Sequence, residues 1–186
     1  MGDVFLQDLW FHQAEGVVLE KAVVDGELVL VRARASAEQA ACHACGTTSG
    51  RVHSRYVRRL ADTAVAERPV VIELQIRRFR CRDRACSQAT FAGQVDGLTF
   101  RHGRRSTGLQ TVLERVAVML AGRAGARLAD TLVVRASRST LLRLILRLPE
   151  PDVARPPPTR HACPRRRLRS APCLSRWRRQ NVARPP

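Results

Sequence analysis

Lysine, acidic residues near the C-terminus and long apolar runs are all scarce in this sequence. Only one of its 33 basic residues, Lys21, is a lysine, so arginine carries almost all of the positive charge. A GC-rich coding sequence would favour arginine codons, but arginine also suits phosphate and guanine because its planar group donates two parallel hydrogen bonds. No apolar run reaches the ~18 residues of a membrane span, and no signal peptide is visible. We therefore expect a cytoplasmic, nucleoid-associated chain with no membrane partner and with reduced thiols.

The positive charge is concentrated towards the C-terminus. The formal net charge is +17 for the chain, yet residues 1–40 carry −4 and residues 151–186 carry +9. A chain this basic is expected to bind a polyanion, and double-stranded DNA is the first candidate.

The first hundred residues carry the patterns of β-strands. Two apolar runs, residues 17–20 and 28–31, flank the turn signal Asp25-Gly26 and predict a hairpin. Residues 51–60 are a further candidate strand. The clearest strand is residues 70–76, where alternate apolar side chains are expected to face one side.

Four cysteines stand in two short pairs that bracket these candidate strands. Cys42 and Cys45 form the first pair, and Cys81 and Cys86 form the second. A hairpin between two such pairs is typical of a zinc ribbon, in which four thiolates complete a tetrahedral site. We therefore predict one structural zinc ion per chain, while Cys163 and Cys173 are expected to be free thiols.

From residue 104 onwards the apolar period changes to that of a helix. The first helix is expected to bury Leu109, Val112, Leu113, Val116 and Leu120, with Ser106 or Thr107 as its cap. A second helix is predicted over residues 124–132, with Leu128 and Leu132 inward. A third, capped by Ser137, is predicted to run to about Leu148 and to bury Leu141, Leu144, Ile145 and Leu148.

The last two predicted helices have the layout of a helix-turn-helix, with an arginine-rich solvated face of a small helical domain as the alternative. Arg138, Ser139 and Thr140 would then face the base edges or phosphates of DNA, and Arg143 and Arg147 would hold the phosphate backbone. In the ribbon, Arg55, Arg58, Arg77 and Arg78 are further candidate DNA contacts.

The predicted fold is therefore α+β in three parts. Residues 1–100 form a small β-rich zinc-ribbon domain, and residues 101–150 form a three-helix, helix-turn-helix domain. Residues 151–186, rich in proline and arginine, are predicted to be a disordered basic tail.

The order and spacing of these motifs resemble the ISL-three family of insertion-sequence transposases over roughly residues 15–150. The resemblance rests on Cys42-His43-Ala44-Cys45-Gly46, on Arg51 to Asp62, on Arg77 to Phe91, on Gly125 to Ala129 and on Ser137 to Arg143. In this family the ribbon and helix-turn-helix bind the element's terminal inverted repeats, and a downstream RNase-H-like domain cuts DNA. Two features depart from the family: the turn at residues 132–135 lacks the usual glycine, and residues 160–186 contain no acidic residue.

The resemblance implies a DNA-binding transposase fragment without the catalytic domain, and hence not an enzyme. A frameshift would explain the tail. A regulatory DNA-binding protein, which inhibits the intact transposase or represses transcription, stays open as an alternative, as does a nonfunctional pseudogene product. Self-association and an intact transposase are further candidate partners.

Overall fold

The computed structural model describes residues 2–149, which form a β-rich half followed by three helices. The predicted tail, with Cys163 and Cys173, lies outside the described residues. In chain order the elements are α1 (Gly2–Phe11), β1 (Val17–Asp25), β2 (Leu28–Ala35), β3 (Ala40–Ala41), β4 (Thr48–Ser49), β5 (Val52–Val65), β6 (Arg68–Arg80), β7 (Thr90–Ala92), α2 (Thr107–Leu120), α3 (Gly122–Thr131) and α4 (Arg138–Ile145). The predicted α+β composition is confirmed, whereas the domain boundary after residue 100 stays a prediction.

One mixed sheet dominates the first half, with strand order β1-β2-β6-β5 and β7 beside β6. The predicted hairpin is confirmed: β1 and β2 are antiparallel, and Gly26 takes a positive φ of 60° in the turn between them. β5 and β6 form a second, longer antiparallel hairpin, and β2 lies parallel to β6. This second hairpin starts and ends beside the two cysteine pairs.

The main core lies on one face of β6. As predicted from alternation, Val70, Ile72, Leu74 and Ile76 are all buried, with at most 1% of their surface exposed. Phe11 of α1 packs on the same cluster, together with Val95 and Leu98 from the loop after β7. The sequence patterns did not predict α1.

Helix α2 starts where the sequence indicated but buries a slightly different face. Ser106 caps it, because its hydroxyl accepts a hydrogen bond from the backbone N–H of Leu109 at 3.0 Å. Leu109, Leu113 and Val116 are buried as expected, and Val112 is half-buried. The prediction for Leu120 was wrong: it is 44% exposed. The small Ala117 packs inside instead, since the chain turns sharply at Ala121 and leaves the last residue of α2 outside the packed helices.

Helix α3 packs through small residues, which corrects the predicted face. Leu132 was expected to point inward but is 44% exposed, and Leu128 is only half-buried. The buried residues are Gly125 and Ala129. A Cβ atom on Gly125 would lie 2.8 Å from Leu141 Cδ1, so glycine allows α3 to approach α4 closely.

The end of α3 contains a residue in an unusual conformation. Val134 N–H donates to Ala129 O at 2.8 Å and Val133 N–H donates to Asp130 O at 3.0 Å, the hydrogen-bond pattern of a Schellman C-cap. Val133 takes the left-handed position of this cap, with a φ of 57°. That position favours glycine, and a β-branched residue there is strained. Residues 132–135, where the family usually has a glycine, therefore include a position whose conformation favours glycine.

Helix α4 begins as predicted and ends early. Ser137 caps it by accepting from Thr140 N–H at 3.2 Å. Leu141 and Leu144 are buried, but the helix ends at Ile145, and Ile145 and Leu148 are only half-buried. The predicted end near residue 148 was wrong because the last turn is tighter than an α-helix: Arg147 N–H donates to Leu144 O and Leu148 N–H donates to Ile145 O, both at 3.1 Å.

Candidate zinc centre and its basic surroundings

The first cysteine pair lies on a tight turn between β3 and β4. Gly46 N–H donates to Cys42 O at 2.7 Å, and Cys42 N–H donates to Thr47 O at 3.0 Å. Gly46 takes a φ of 74°, a conformation that glycine adopts without steric cost. The turn therefore directs the thiols of Cys42 and Cys45 to the same side.

The second pair follows β6 in a similar turn. Cys81 N–H donates to Ala89 O at 3.0 Å, and Cys86 N–H donates to Asp83 O at 3.4 Å. The side chain of Asp83 supports the turn by accepting from Ala85 N–H at 2.8 Å. Gln88 N–H then donates to the sulfur of Cys86 at 3.4 Å, which stabilises a thiolate at that position.

The β5–β6 hairpin brings the two pairs together at its open end, where Arg80 N–H donates to Arg51 O at 2.8 Å. The four sulfur atoms all lie within 4.8 Å of one another. Cys42 Sγ is 3.9 Å from Cys86 Sγ, and Cys45 Sγ is 3.5 Å from Cys81 Sγ. A tetrahedral zinc–thiolate site has sulfur atoms about 3.8 Å apart. The predicted zinc ligands therefore fit a zinc ion, and four thiolates leave no open position for a substrate.

An apolar shell supports the inner side of the cluster. Cys42 is 1% exposed and packs with Phe79 and Phe91, whose ring centroids are 5.9 Å apart. His43 lies outside the cysteine cluster and meets Phe91 edge-on at 6.0 Å. Because these rings pack between the two turns, metal binding and local packing stabilise the same structure.

The pKa values of the thiols differ because their surroundings differ. Hydrogen bonds from the side chain and backbone of Thr47 lower the pKa of Cys45 to about 6. Desolvation by neighbouring groups raises the pKa of Cys81 to about 12. The sulfur atoms of Cys45 and Cys81 lie 3.5 Å apart. Zinc binds cysteine as the thiolate, so zinc coordination would release the protons that these thiols carry.

The four ribbon arginines predicted to contact DNA fall into two kinds. Arg55 and Arg78 are exposed. Arg58 is half-buried and donates to Phe100 O at 2.6 Å, to Gly103 O and to Gln94 Oε1. Arg77 donates to Ala37 O at 2.6 Å and Ser36 O at 3.2 Å. Arg58 and Arg77 thus hold loops of the fold with their guanidinium groups.

The predicted recognition residues lie together at the start of α4. Arg138 and Ser139 are exposed and Thr140 is half-buried. The Ser137 hydroxyl lies 3.0 Å from both the Ser139 and the Thr140 hydroxyl, so these two side chains are partly engaged at the cap. Arg143 and Arg147 are exposed further along.

Sequence reasoning missed a basic loop beside β5. Arg101, His102 and Arg104 are exposed in the connection between β7 and α2. The backbone of this loop is fixed to β5, because Ala61 N–H donates to Arg104 O at 3.0 Å. The run Arg101-His102-Gly103-Arg104-Arg105 was the available signal, but without strand or helix period its position could not be inferred.

Comparison with known proteins identifies the cysteine-bearing segment. Residues 38–86 match the family described as the zinc-finger of transposase IS204/IS1001/IS1096/IS1165. No curated protein and no solved structure matches the chain. No helix within residues 2–149 is long and apolar enough to cross a membrane. The match spans both cysteine pairs and the hairpin between them, so the resemblance to ISL-three transposases is confirmed for this segment.

Proposed function

We propose that this chain is the DNA-binding part of a transposase and that it recognises the terminal inverted repeats of an insertion sequence. The observation that carries the proposal is the four-cysteine cluster inside a segment that matches a transposase zinc finger. The net charge of +17 favours a phosphate-rich partner. The zinc ion is structural in this proposal, and the protein surface around it provides the contacts.

We propose that α3 and α4 act as a helix-turn-helix and recognise the base sequence of the DNA. Leu141 is fully buried, and α4 packs closely on α3 through Gly125, so the start of α4 is held firmly. Arg138 projects from the first turn of α4 and is exposed. In such motifs the first residues of the second helix reach base edges in the major groove.

The proposed role is binding rather than cutting. Two-metal phosphoryl transfer needs several carboxylates close together. Within residues 2–149, the four cysteines are the only group of three or more potential metal ligands brought within reach of one ion. A nicking assay with magnesium and repeat DNA tests this point, and cleavage by the purified chain would contradict it.

The recognition proposal is tested by two arginines of the same region. Arg138→Ala should weaken binding to a duplex carrying the terminal repeat by about 1–3 kcal/mol, while barely changing binding to a scrambled duplex. Arg147→Ala should weaken binding to both duplexes alike, because a phosphate contact carries no sequence information. Affinities are measured at one fixed salt concentration. Equal losses on both duplexes for Arg138→Ala would refute the assignment of α4.

A further inference from the structure

A groove of about 590 Å³ runs along β5 and is lined by several separate parts of the chain. One border is β5, with Tyr56 and Arg58. A second is the zinc cluster region, with His43 from the first cysteine turn. The third is the loop between β7 and α2, with Arg101, His102 and Arg104. Arg78 of β6 also lines it.

The charge of this groove has one sign. Among the described residues that line it, five are arginines and none is acidic. A second groove, near the β5–β6 turn and α3, is lined by Glu27, Asp62, Glu67 and Asp130 as well as by arginines. Because no carboxylate lines the first groove, its surface favours an anion.

Not all five arginines are available for a ligand. Arg58 donates to the carbonyls of Phe100 and Gly103 and so holds the loop. Arg59 pairs with Glu73 at 3.4 Å, and Glu73 also pairs with Arg32. By contrast, within the described part of the chain the side chains of Arg78, Arg101 and Arg104 form no hydrogen bond or ion pair, and all three are exposed.

We infer that this groove binds the sugar-phosphate backbone of duplex DNA through Arg78, Arg101 and Arg104. The inference rests on the proposed function and adds a contact surface separate from the start of α4. Guanidinium groups pair with phosphate oxygens through two parallel hydrogen bonds, and exposed, unpaired arginines give up few existing contacts when they do so. Because His43 lies beside Cys42 and lines the groove, zinc binding also fixes one border of this surface.

The test is the salt dependence of duplex binding by the full zinc-loaded chain. A scrambled duplex is titrated by fluorescence anisotropy across a series of salt concentrations. Each neutralised phosphate contributes about 0.9 to the slope of log K against log salt, so the variant with Arg78→Ala, Arg101→Ala and Arg104→Ala should lose about 2.7 from that slope. Arg34→Ala is the matched control, because Arg34 is exposed on β2 and pairs with Glu20 outside the groove; its slope should not change.

Two further measurements keep the result interpretable. Zinc content and circular dichroism check the fold of the triple variant, and a second variant with lysine at the same three positions keeps the charge and should keep the slope. A triple alanine variant with an unchanged slope would overturn the inference while leaving the proposed function intact. Failure of the proposed function has a different signature, since the unaltered chain would then bind repeat and scrambled duplexes equally.

Discussion

Replacing Arg58 with alanine tests whether this arginine stabilises the fold, a role that the sequence did not distinguish from contacting DNA. Arg58 and Arg55 are both arginines of β5 and were both predicted to contact DNA. In the structure Arg58 reaches across to the loop before α2, where it donates to Phe100 O, Gly103 O and Gln94 Oε1. Arg55 is exposed and forms no such bond within the described residues. We expect Arg58→Ala to destabilise the fold and Arg55→Ala to leave it stable.

The size of the effect follows from the lost hydrogen bonds. A hydrogen bond from a charged donor contributes about 1.5–3 kcal/mol, and a buried acceptor left without a partner costs a similar amount. Gly103 is buried, but Arg58 is only half-buried and water can reach part of the vacated space. We therefore expect a total loss of about 2–3 kcal/mol in the free energy of unfolding, well below the sum of the separate bonds. Burial also lowers the pKa of Arg58, which nevertheless keeps its charge at neutral pH.

The assay is urea and thermal unfolding of the zinc-loaded chain, followed by circular dichroism. For a chain of this size, the expected loss corresponds to a fall in Tm of roughly 4–12 °C. Arg55→Ala, an exposed substitution on the same strand, should change the free energy of unfolding by less than about 0.5 kcal/mol. Equal stability of the two variants would refute the view that Arg58 holds the loop.

Two other substitutions test the zinc cluster and the helical core. Cys42→Ser should reduce the zinc content, measured by atomic absorption, to well below one ion per chain, because a tetrahedral site loses one of its ligands. Cys163→Ser is the control and should leave the zinc content unchanged. Unaltered zinc content in Cys42→Ser would exclude this site. Leu141→Ala should cost about 2–5 kcal/mol in urea unfolding, because Leu141 is fully buried against α3. Its neighbour Leu142, 37% exposed, is the matched control and should cost much less, so similar losses would contradict the packing of α4.

Local sequence patterns predicted the structure correctly where the conformation of a segment depends mainly on its own residues. Alternation fixed the buried face of β6, turn residues fixed the β1–β2 hairpin, and the spacing of cysteines indicated the zinc ligands. Capping chemistry also indicated the helix starts: Ser106, one of two candidate caps, begins α2, and Ser137 begins α4. In each case the physical signal lies within about a dozen consecutive residues or in a pair of short motifs.

Features that depend on distant contacts were beyond such patterns. α1 exposes Val4, Phe5 and Leu9, so it has no strong amphipathic period, and it is held by Gln7, which bonds to Val17 O and Leu19 N–H. The parallel pairing of β2 with β6 joins segments about forty residues apart and leaves no local signature.

The wrong predictions for the helices and the missed role of Arg58 also arise from contacts between distant segments. Leu132 was predicted inward from its spacing, but close packing at Gly125 brings the small face of α3 to the core instead. Arg58 could be distinguished from Arg55 only by the carbonyl groups that the fold places near it.

The most direct test of the central claim is the ratio of affinities for terminal-repeat and scrambled duplexes, measured for the same protein with zinc and after chelation. Because α4 is proposed to read bases, the zinc-loaded chain should bind the repeat duplex more tightly than the scrambled duplex at fixed salt. Because zinc-thiolate coordination stabilises the cysteine turns, chelation should weaken binding to the repeat. Equal affinity for the two duplexes with zinc bound, or repeat binding that is unaffected when the zinc is removed, would contradict zinc-supported recognition of the element's ends.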